Sequence, residues 1–544
     1  MFMKKIKSII KKIILNLFWS GTDSVNFIFT KKDYFEKRAK FFNYICYKNK
    51  NAYRLIFLPL LNLRITDKEI ENIKKAQDSF FKNFYSSLNE QAQILLLRIM
   101  SELKIDDEKN IERFFEIAEN TKNADVKYWI TQSVDKIVFW NTLTLPKDFF
   151  IRRKVLFKNI CDTYLLKKPS KLINQNKEDK KTVCIVTYLM ESTIRNSAQR
   201  VLLMFAENID RTLFDVTILC LDSLYDRKSS IANVCGYKKS YKQHEKIEEM
   251  FKKPVSIYYC TKNGIKNKLQ ESLDTIYKIN PDVILDMADE YSVTSFIYSQ
   301  DFKTIYTPLR RRVTAQYCTH YIASAPAQTA EQSKIYCNIL NGVKLQEWCF
   351  PEYKMPCNVT YTRKQYDLPD KNQILITTGI IPIHDTDFMD ILINLLKDNS
   401  DISWIIVGLT ELPIYLLNNA EELILNKQII NWGYEKNLPA LYKICDIFVN
   451  PNRTGGSGAI AIAAQQNLPI VITDYPSDAL RWIHAENTVT DGYEGFEKEI
   501  LRLINDKSYY ETQSKKFRTL VDDVCESEKI WNDFNKLLVD VVNE

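Results

Sequence analysis

Glycine and histidine are scarce in this chain of 544 residues, which contains 12 Gly and 4 His. The 12 cysteines form no C-x-x-C pair and no Cys/His cluster with zinc spacing, so we expect no structural zinc site and reduced, mostly buried thiols. No run of about 18 uncharged apolar residues occurs, which predicts no transmembrane helix. These absences, together with an N-terminus that lacks a secretory cleavage site, favour a cytoplasmic protein.

Clustered charge is also missing. The net charge of +7 is modest, and no Lys/Arg-rich block is interleaved with aromatic residues, so we expect no nucleic-acid partner. A hydrophobic content of 45% with 26% charged residues is typical of globular proteins, and the length predicts about three domains.

Against this scarcity, three of the glycines fall within four positions, inside the stretch from Ile444 to Asp474, ICDIFVNPNRTGGSGAIAIAAQQNLPIVITD. The pattern predicts a buried strand, a turn, a glycine-rich elbow, a small-residue helix and a second buried strand. An elbow that opens a helix directs backbone N–H groups outward at the positive end of the helix dipole, which favours a phosphate. The alternative is a tight turn without a ligand. We favour phosphate binding because Arg453 adds a charged fork and Ser457 a hydroxyl.

The N-terminal third has helical periodicity without a fixed-period repeat. Residues 4–19 place isoleucines on one face and lysines on the other, a pattern typical of a helix in a membrane interface. A helix packed on its own domain, with a solvated basic face, is the alternative. Residues 169–181 resemble a linker.

From Thr182 onward, short apolar strands alternate with helical segments, which predicts βαβ units around a parallel sheet. A second series begins at residue 373. Ligands of such sheets bind at the carboxyl ends of the strands, so Gly379, Gly408, Gly433 and the elbow should share one rim.

These pieces, in this order, resemble the two-Rossmann (GT-B) glycosyltransferases, particularly the retaining nucleotide-sugar enzymes of bacterial surface glycan synthesis. The resemblance covers about residues 182–530. It rests on THYIAS with the crossover Asn341, Gly342, Val343 … Phe350, Pro351, on ILITTG and SWIIVG, on IINWGYEKNLPALYKICDIFVNP and on the elbow.

The resemblance implies an α/β chain with two tandem Rossmann-like domains preceded by an all-α domain. We predict four parts: an all-α accessory domain (1–168), an acceptor domain (182–355), a nucleotide-sugar donor domain (370–520) and a C-terminal helix that crosses back to the acceptor domain (521–544).

By position, the resemblance also implies a donor site. The nucleotide base would lie beside Gly433 and Tyr434, and the diphosphate on the turn after the strand Ile447–Val449. The predicted donor-binding set is Gly379, Gly433, Tyr434, Arg453, Gly455, Gly456, Ser457 and Gly458. The family's paired glutamates are replaced here by Gly455 and Ile462, so Arg453 would neutralise the phosphate charge. No D-x-D motif stands at a strand end, and we predict metal independence and no cofactor besides the donor sugar nucleotide.

Catalytic candidates follow strands of both sheets. Asp289 and Glu290 come after VILDM and would contact the acceptor or act as base, or only cap the next helix. His384 follows the first donor-domain strand and would face the donor phosphate, or lie exposed in a loop. Arg200 is a plausible cleft residue, whereas His320 is more consistent with a packed strand residue.

The predicted function is transfer of a hexose or N-acetylhexosamine from a nucleotide-diphosphate sugar to a glycan, lipid-linked glycan or protein. Two alternatives stay open: a sugar-nucleotide epimerase of the same fold, and an inactive GT-B module that acts as an interaction protein.

Overall fold

The computed structural model of the protein describes residues 93–94, 97, 107–140, 148–170, 180–187, 197–221, 248–262, 264–288, 292–306, 317–323, 342–348, 350–370, 372–379, 385–409, 411–453, 455–475, 477–525 and 527–544. In the described residues from 107 onward, three helices precede the first strand. They are α1 (Asp107–Asn120), α2 (Ala124–Trp140) and α3 (Phe149–Tyr164). The remainder of the predicted all-α domain, including residues 4–19, lies outside the described residues.

Helix α3 connects these helices to the first sheet domain through aromatic packing. The Phe157 ring lies 5.8 Å from that of Phe296 and 5.6 Å from that of Tyr317. Arg153 is buried, and its guanidinium lies 4.7 Å from the Phe157 ring centroid.

The first sheet has seven parallel strands in the order β3-β2-β1-β4-β5-β6-β7. Its strands are β1 (Lys181–Thr187), β2 (Phe214–Cys220), β3 (Ser256–Tyr259), β4 (Val283–Asp286), β5 (Thr304–Tyr306), β6 (His320–Ala323) and β7 (Lys344–Glu347). Its helices are α4 (Ser197–Asn208), α5 (Ile265–Ile279) and α6 (Ser292–Tyr298). The central strands are buried on both faces, as apolar runs in parallel sheets require.

The second sheet has five parallel strands in the order β10-β9-β8-β11-β12. Its strands are β8 (Gln373–Thr378), β9 (Ile402–Val407), β10 (Ile429–Gly433), β11 (Ile447–Val449) and β12 (Ile470–Val471). Its helices are α7 (Thr386–Asp398), α8 (Ile414–Asn419), α9 (Glu421–Leu425), α10 (Leu438–Tyr442), α11 (Ser457–Gln465), α12 (Leu480–Ile483), α13 (Gly492–Asn505) and α14 (Lys507–Val524). The predicted α/β class with two tandem parallel sheets is confirmed.

The last helix, α15 (Glu528–Asn543), returns to the first sheet. Its buried residues Trp531, Phe534 and Leu538 join the core formed by β1, β2 and α4. Near its end, His320 of β6 bonds to Glu544 through a 2.7 Å contact between Nε2 and a carboxylate oxygen, so this histidine is a packed strand residue.

Within the described residues no helix has the length and hydropathy needed to span a bilayer.

Candidate functional site

The glycine-rich elbow lies at the point where the second sheet reverses its strand order. It follows β11, which pairs with β8, while β8 pairs with β9 on its other side. In open α/β sheets, this switch point opens a crevice at the carboxyl ends of the strands, where ligands bind. Gly379 and Gly408 end the neighbouring strands β8 and β9, and the Gly408 N–H donates to the Gly433 carbonyl at the end of β10. The predicted rim is therefore present.

The centre of this rim is the guanidinium group of Arg453. A Cβ built on Gly379 would lie 2.9 Å from one of its terminal nitrogens, and a Cβ built on Gly456 would lie 2.8 Å from its Nε. Both glycines also have positive φ angles, +94° and +114°, which side-chain-bearing residues rarely adopt. These two glycines thus allow the backbone to enclose the cation closely on two sides.

Two polar residues hold and tune that cation. Its Nε donates a 3.0 Å hydrogen bond to the Asn450 side-chain oxygen, directly after β11. Burial lowers the pKa of Arg453 to about 10, while the nearby Asp478 charge opposes this shift. A pKa of about 10 keeps the guanidinium charged at neutral pH. A charged fork with little surrounding water is a strong anion site.

The turn before the arginine is fixed by a second cluster. The Asn452 N–H donates to the Tyr493 hydroxyl over 2.8 Å and to a carboxylate oxygen of Asp385 over 3.1 Å. Tyr493 donates to the same carboxylate, and Asp385 also caps α7 by accepting from the Phe388 N–H. Burial raises the pKa of both Asp385 and Tyr493. The turn is consequently tied to the start of two helices.

Ser457 does not fit the role predicted for it. Its hydroxyl is buried, donates to Glu352 and accepts a 3.0 Å hydrogen bond from the Trp482 indole. Its N–H donates to Asp478 over 2.9 Å, so an internal carboxylate already occupies this part of the positive helix end. The expectation that the Ser457 hydroxyl faces a phosphate is corrected: both of its polar groups are used within the protein.

The remaining predicted donor residues lie beside the elbow helix and at the end of β10. Gly455 precedes α11 by two residues, and Gly458 is the exposed second residue of that helix. Gly433 ends β10 with a φ of +75°, and the Tyr434 side chain that follows is 57% exposed. Their contact with a nucleotide remains a prediction.

From the first sheet, helix α4 brings Arg200 toward the same region. Its guanidinium lies 6.0 Å from the ring centroid of Tyr353, in the connection between the sheets. Tyr442, whose hydroxyl donates to Thr378 at the end of β8, has a pKa raised by burial, and the charges of Arg453 and Arg200 both oppose that rise.

The catalytic candidates Asp289, Glu290 and His384 lie outside the described residues, as do Asn341 and residues 307–316. Asp286, the last residue of β4, anchors the described residues that directly follow this strand. Its buried carboxylate accepts from the Ala288 N–H over 2.9 Å and from the Ser295 hydroxyl. Burial raises the pKa of Asp286 to about 6. Its hydrogen bonds stay within its own domain and join the end of β4 to Ala288 and to α6.

Among the described residues, no group of three or more His, Cys, Asp or Glu side chains is arranged to hold a metal ion. Metal independence stays a prediction.

Sequence reasoning missed four residues around the elbow: Glu352, Asp385, Asn450 and Asp478. The sequence positions of Asn450 and Asp385 could have identified them as site residues. Asn450 directly follows β11 and Asp385 closely follows β8, and the carboxyl ends of both strands form the rim. Glu352 and Asp478 are brought in by tertiary folding alone.

Comparison with known proteins agrees with this geometry. Residues 362–519 match the family described as glycosyl transferases group 1. No match is found among curated proteins.

Solved structures of similar architecture include an O-GlcNAc transferase mutant from Thermobaculum terrenum, 11% identical, with 99% of each chain covered and a TM-score of 0.52. HepE from Anabaena, solved with UDP and glucose, is 13% identical over 66% of this chain and 100% of its own, with a TM-score of 0.47. TarM from S. aureus is 8% identical over 67% and 100%, with a TM-score of 0.48. At 11% identity, the similarity to the O-GlcNAc transferase shows the fold alone. The family match lies within the second sheet domain, and the similarity to the O-GlcNAc transferase shows a common two-sheet GT-B fold.

Proposed function

We propose that this chain transfers a hexose or N-acetylhexosamine from a nucleotide-diphosphate sugar to a glycan, a lipid-linked glycan or a protein. The observation that carries the proposal is the Arg453 guanidinium, enclosed by Gly379 and Gly456 at the switch point of the sheet that matches the family. A permanently charged fork at this position suits a diphosphate better than a neutral ligand.

The chemistry explains why such a cation is needed. Transfer breaks the bond between the sugar C1 and the diphosphate, and negative charge grows on the leaving group in the transition state. Pre-positioned donors that meet this charge lower the barrier without having to reorganise during the reaction. Arg453, with backbone N–H groups of the elbow, supplies this stabilisation in the proposed mechanism, and no metal ion is required.

Other residues complete the proposed site. Tyr434, which follows β10 and is 57% exposed, would contact the nucleotide base. Asp289 or Glu290, which follow the loop anchored by Asp286, would contact the acceptor hydroxyl or take its proton. His384 directly precedes Asp385, the cap of α7, and would reach the donor phosphate from there.

A screen of nucleotide sugars for thermal stabilisation tests the proposal, because a ligand that binds the native state raises its apparent stability. We expect at least one UDP-, GDP- or ADP-sugar to raise Tm, and Arg453→Ala to remove most of that rise. Arg502→Ala is the matched control: this arginine belongs to the same domain but stacks on Tyr509 near the end of α13. An undiminished shift in Arg453→Ala would remove Arg453 from the donor site.

The same material separates the alternatives. A new sugar isomer, formed from a nucleotide sugar without any acceptor, would point to an epimerase. Absence of calorimetric binding by UDP, GDP and ADP would point to an inactive module. Release of the nucleoside diphosphate only in the presence of a glycan, lipid-linked or protein acceptor supports transfer.

We also propose a role in surface polysaccharide synthesis at the inner face of the cytoplasmic membrane, with contact through residues 4–19. Co-sedimentation with vesicles containing anionic lipid tests this point. Replacing the five lysines of that segment with glutamine should abolish co-sedimentation, and retention by the variant would contradict it.

A further inference from the structure

Glu352 lies in the connection between the two sheets, yet its side chain reaches the elbow. The carboxylate is buried, with the residue 4% exposed, and accepts from the Ser457 hydroxyl and from Arg481. Both partners belong to the second sheet domain. The donor elbow and the inter-sheet connection are therefore joined by one carboxylate.

The backbone of the same residue holds the return connection. The Glu352 N–H donates a 2.7 Å hydrogen bond to the Val524 carbonyl, and Glu352 forms a parallel bridge with Cys525. Cys525 directly precedes the segment that leads into α15 and back to the first sheet. Both connections between the sheets thus converge on Glu352.

The other end of the elbow helix is tied to the same connection. Gln465, the last residue of α11, donates from its amide nitrogen to the Tyr353 carbonyl over 3.0 Å. Its amide oxygen accepts from the Met355 N–H over 3.3 Å. Helix α11 is consequently held at its first and last residues by a segment of four residues that belongs to neither sheet.

In the hydrogen bond between Ser457 and Glu352, the orientation of the hydroxyl is fixed and the charge of the carboxylate is neutralised. The Ser457 hydroxyl accepts from Trp482 and donates to Glu352, which leaves it a single orientation. The Arg481 guanidinium that neutralises Glu352 lies 5.0 Å from the Phe350 ring centroid. A buried carboxylate that is hydrogen-bonded and paired in this way is costly to disturb, because removal of one partner leaves the other charge uncompensated.

We propose that Glu352 is a positioning residue for the diphosphate elbow, acting through Ser457 to set the first turn of α11 and to couple it to both inter-sheet connections. This inference rests on the proposed function, since it assumes that the elbow binds the donor diphosphate. Relative movement of the two sheets would then alter the donor site, and a bound donor would favour one arrangement of the sheets.

Calorimetric titration with UDP, and with GDP and ADP in parallel, tests the inference on the full chain. Glu352→Ala should weaken binding at least tenfold. Glu352→Gln, which keeps an acceptor oxygen for Ser457, should restore most of the affinity. Ser457→Ala should weaken binding about as much as Glu352→Ala, and the double variant should lose little more, because the two residues act in one chain. Lys354→Ala, an exposed neighbour in the same connection, is the control and should bind as the wild type.

Unchanged affinity in Glu352→Ala would overturn the inference while leaving the proposed function intact. Additive losses from Glu352→Ala and Ser457→Ala would also overturn it, since Glu352 would then act by another route. If Glu352→Ala does not fold, Glu352→Gln and Ser457→Ala decide alone: normal binding by Ser457→Ala contradicts the inference. Absence of binding by the wild type would overturn the proposed function and the inference together.

Discussion

The Arg453 guanidinium lies where a side chain on Gly456 would have to be, because a Cβ there would stand 2.8 Å from its Nε and 3.0 Å from its central carbon. Gly456 and Arg453, the one charged residue of the elbow sequence, are thus mutually dependent. The glycine supplies a backbone conformation with φ at +114° and also the room for the cation.

Gly456→Ala should therefore disturb both stability and binding. The unfavourable φ costs at least about 1 kcal/mol in the free energy of unfolding. The new methyl also displaces the guanidinium, so the stabilisation by a nucleotide sugar should disappear. Urea unfolding and the thermal-shift screen measure the two effects.

A double-mutant cycle separates conformational strain from the clash. In the Arg453→Ala background the added methyl meets no guanidinium, so Gly456→Ala should cost less stability there than in the wild type. Equal costs in both backgrounds would show that the two residues are not coupled.

Tyr493→Phe should loosen the turn that carries Arg453. The hydroxyl accepts from the Asn452 N–H over 2.8 Å and donates to Asp385. Without it, a partly buried carboxylate loses a donor, which we expect to cost about 1–3 kcal/mol of unfolding free energy. Affinity for a nucleoside diphosphate should fall with it, as measured by calorimetry.

Tyr509→Phe is the matched control for that variant. Its hydroxyl also donates to a carboxylate, that of Glu499 over 2.7 Å, but on α13 and α14 away from the elbow. It should leave nucleoside diphosphate affinity unchanged. An equal loss of affinity in both variants would mean that general destabilisation, and not the turn, is responsible.

The sequence predicts the features of this site that depend on local pattern, but not the contacts between residues that are distant in the chain. The alternation of apolar strands and helices predicts two sheets, and the strand ends predict a rim that includes Gly379 and Gly456. Their common contact with Arg453 was not predictable, because Gly379 meets the arginine only after β8 and β11 pair. The same holds for Ser457, whose hydroxyl partner is Glu352 in the connection between the sheets. Local pattern specifies elements and their ends, whereas burial of a hydroxyl depends on which distant side chain packs over it.

Asp286 should make stability depend on pH in the weakly acidic range. Burial raises its pKa from 3.8 to about 6, so the folded state holds this proton more tightly than the unfolded state. Its contribution to stability is fully present below about pH 4 and is lost as the pH rises through about 6. The gap between the two pKa values corresponds to about 3 kcal/mol.

Asp286→Asn removes this titration while keeping an acceptor for the Ala288 N–H. Urea unfolding at several pH values between 4 and 7 should show the wild type losing stability relative to the variant as the pH rises, with no further change above about pH 7. Parallel curves for the two proteins across this range would contradict the assigned burial of the carboxylate.

Arg200 provides the strictest check on whether the first sheet takes part in binding the donor. Its guanidinium is carried by α4 and lies 6.0 Å from the ring centroid of Tyr353, whose backbone carbonyl accepts a hydrogen bond from Gln465 of α11. Arg200→Ala should reduce transfer about tenfold by removing one of two cations near the leaving group, since one good charge-assisted contact contributes on the order of 1.4 kcal/mol. Arg200→Lys should retain an intermediate rate, because it keeps the charge but not the planar fork.

The control is Arg211→Ala, in the turn after the same helix, where the guanidinium donates to the Ala206 carbonyl. Equal losses of transfer rate in Arg200→Ala and Arg211→Ala, accompanied by equal losses of Tm, would be the effect of general destabilisation. The diphosphate would then be held by the second domain alone.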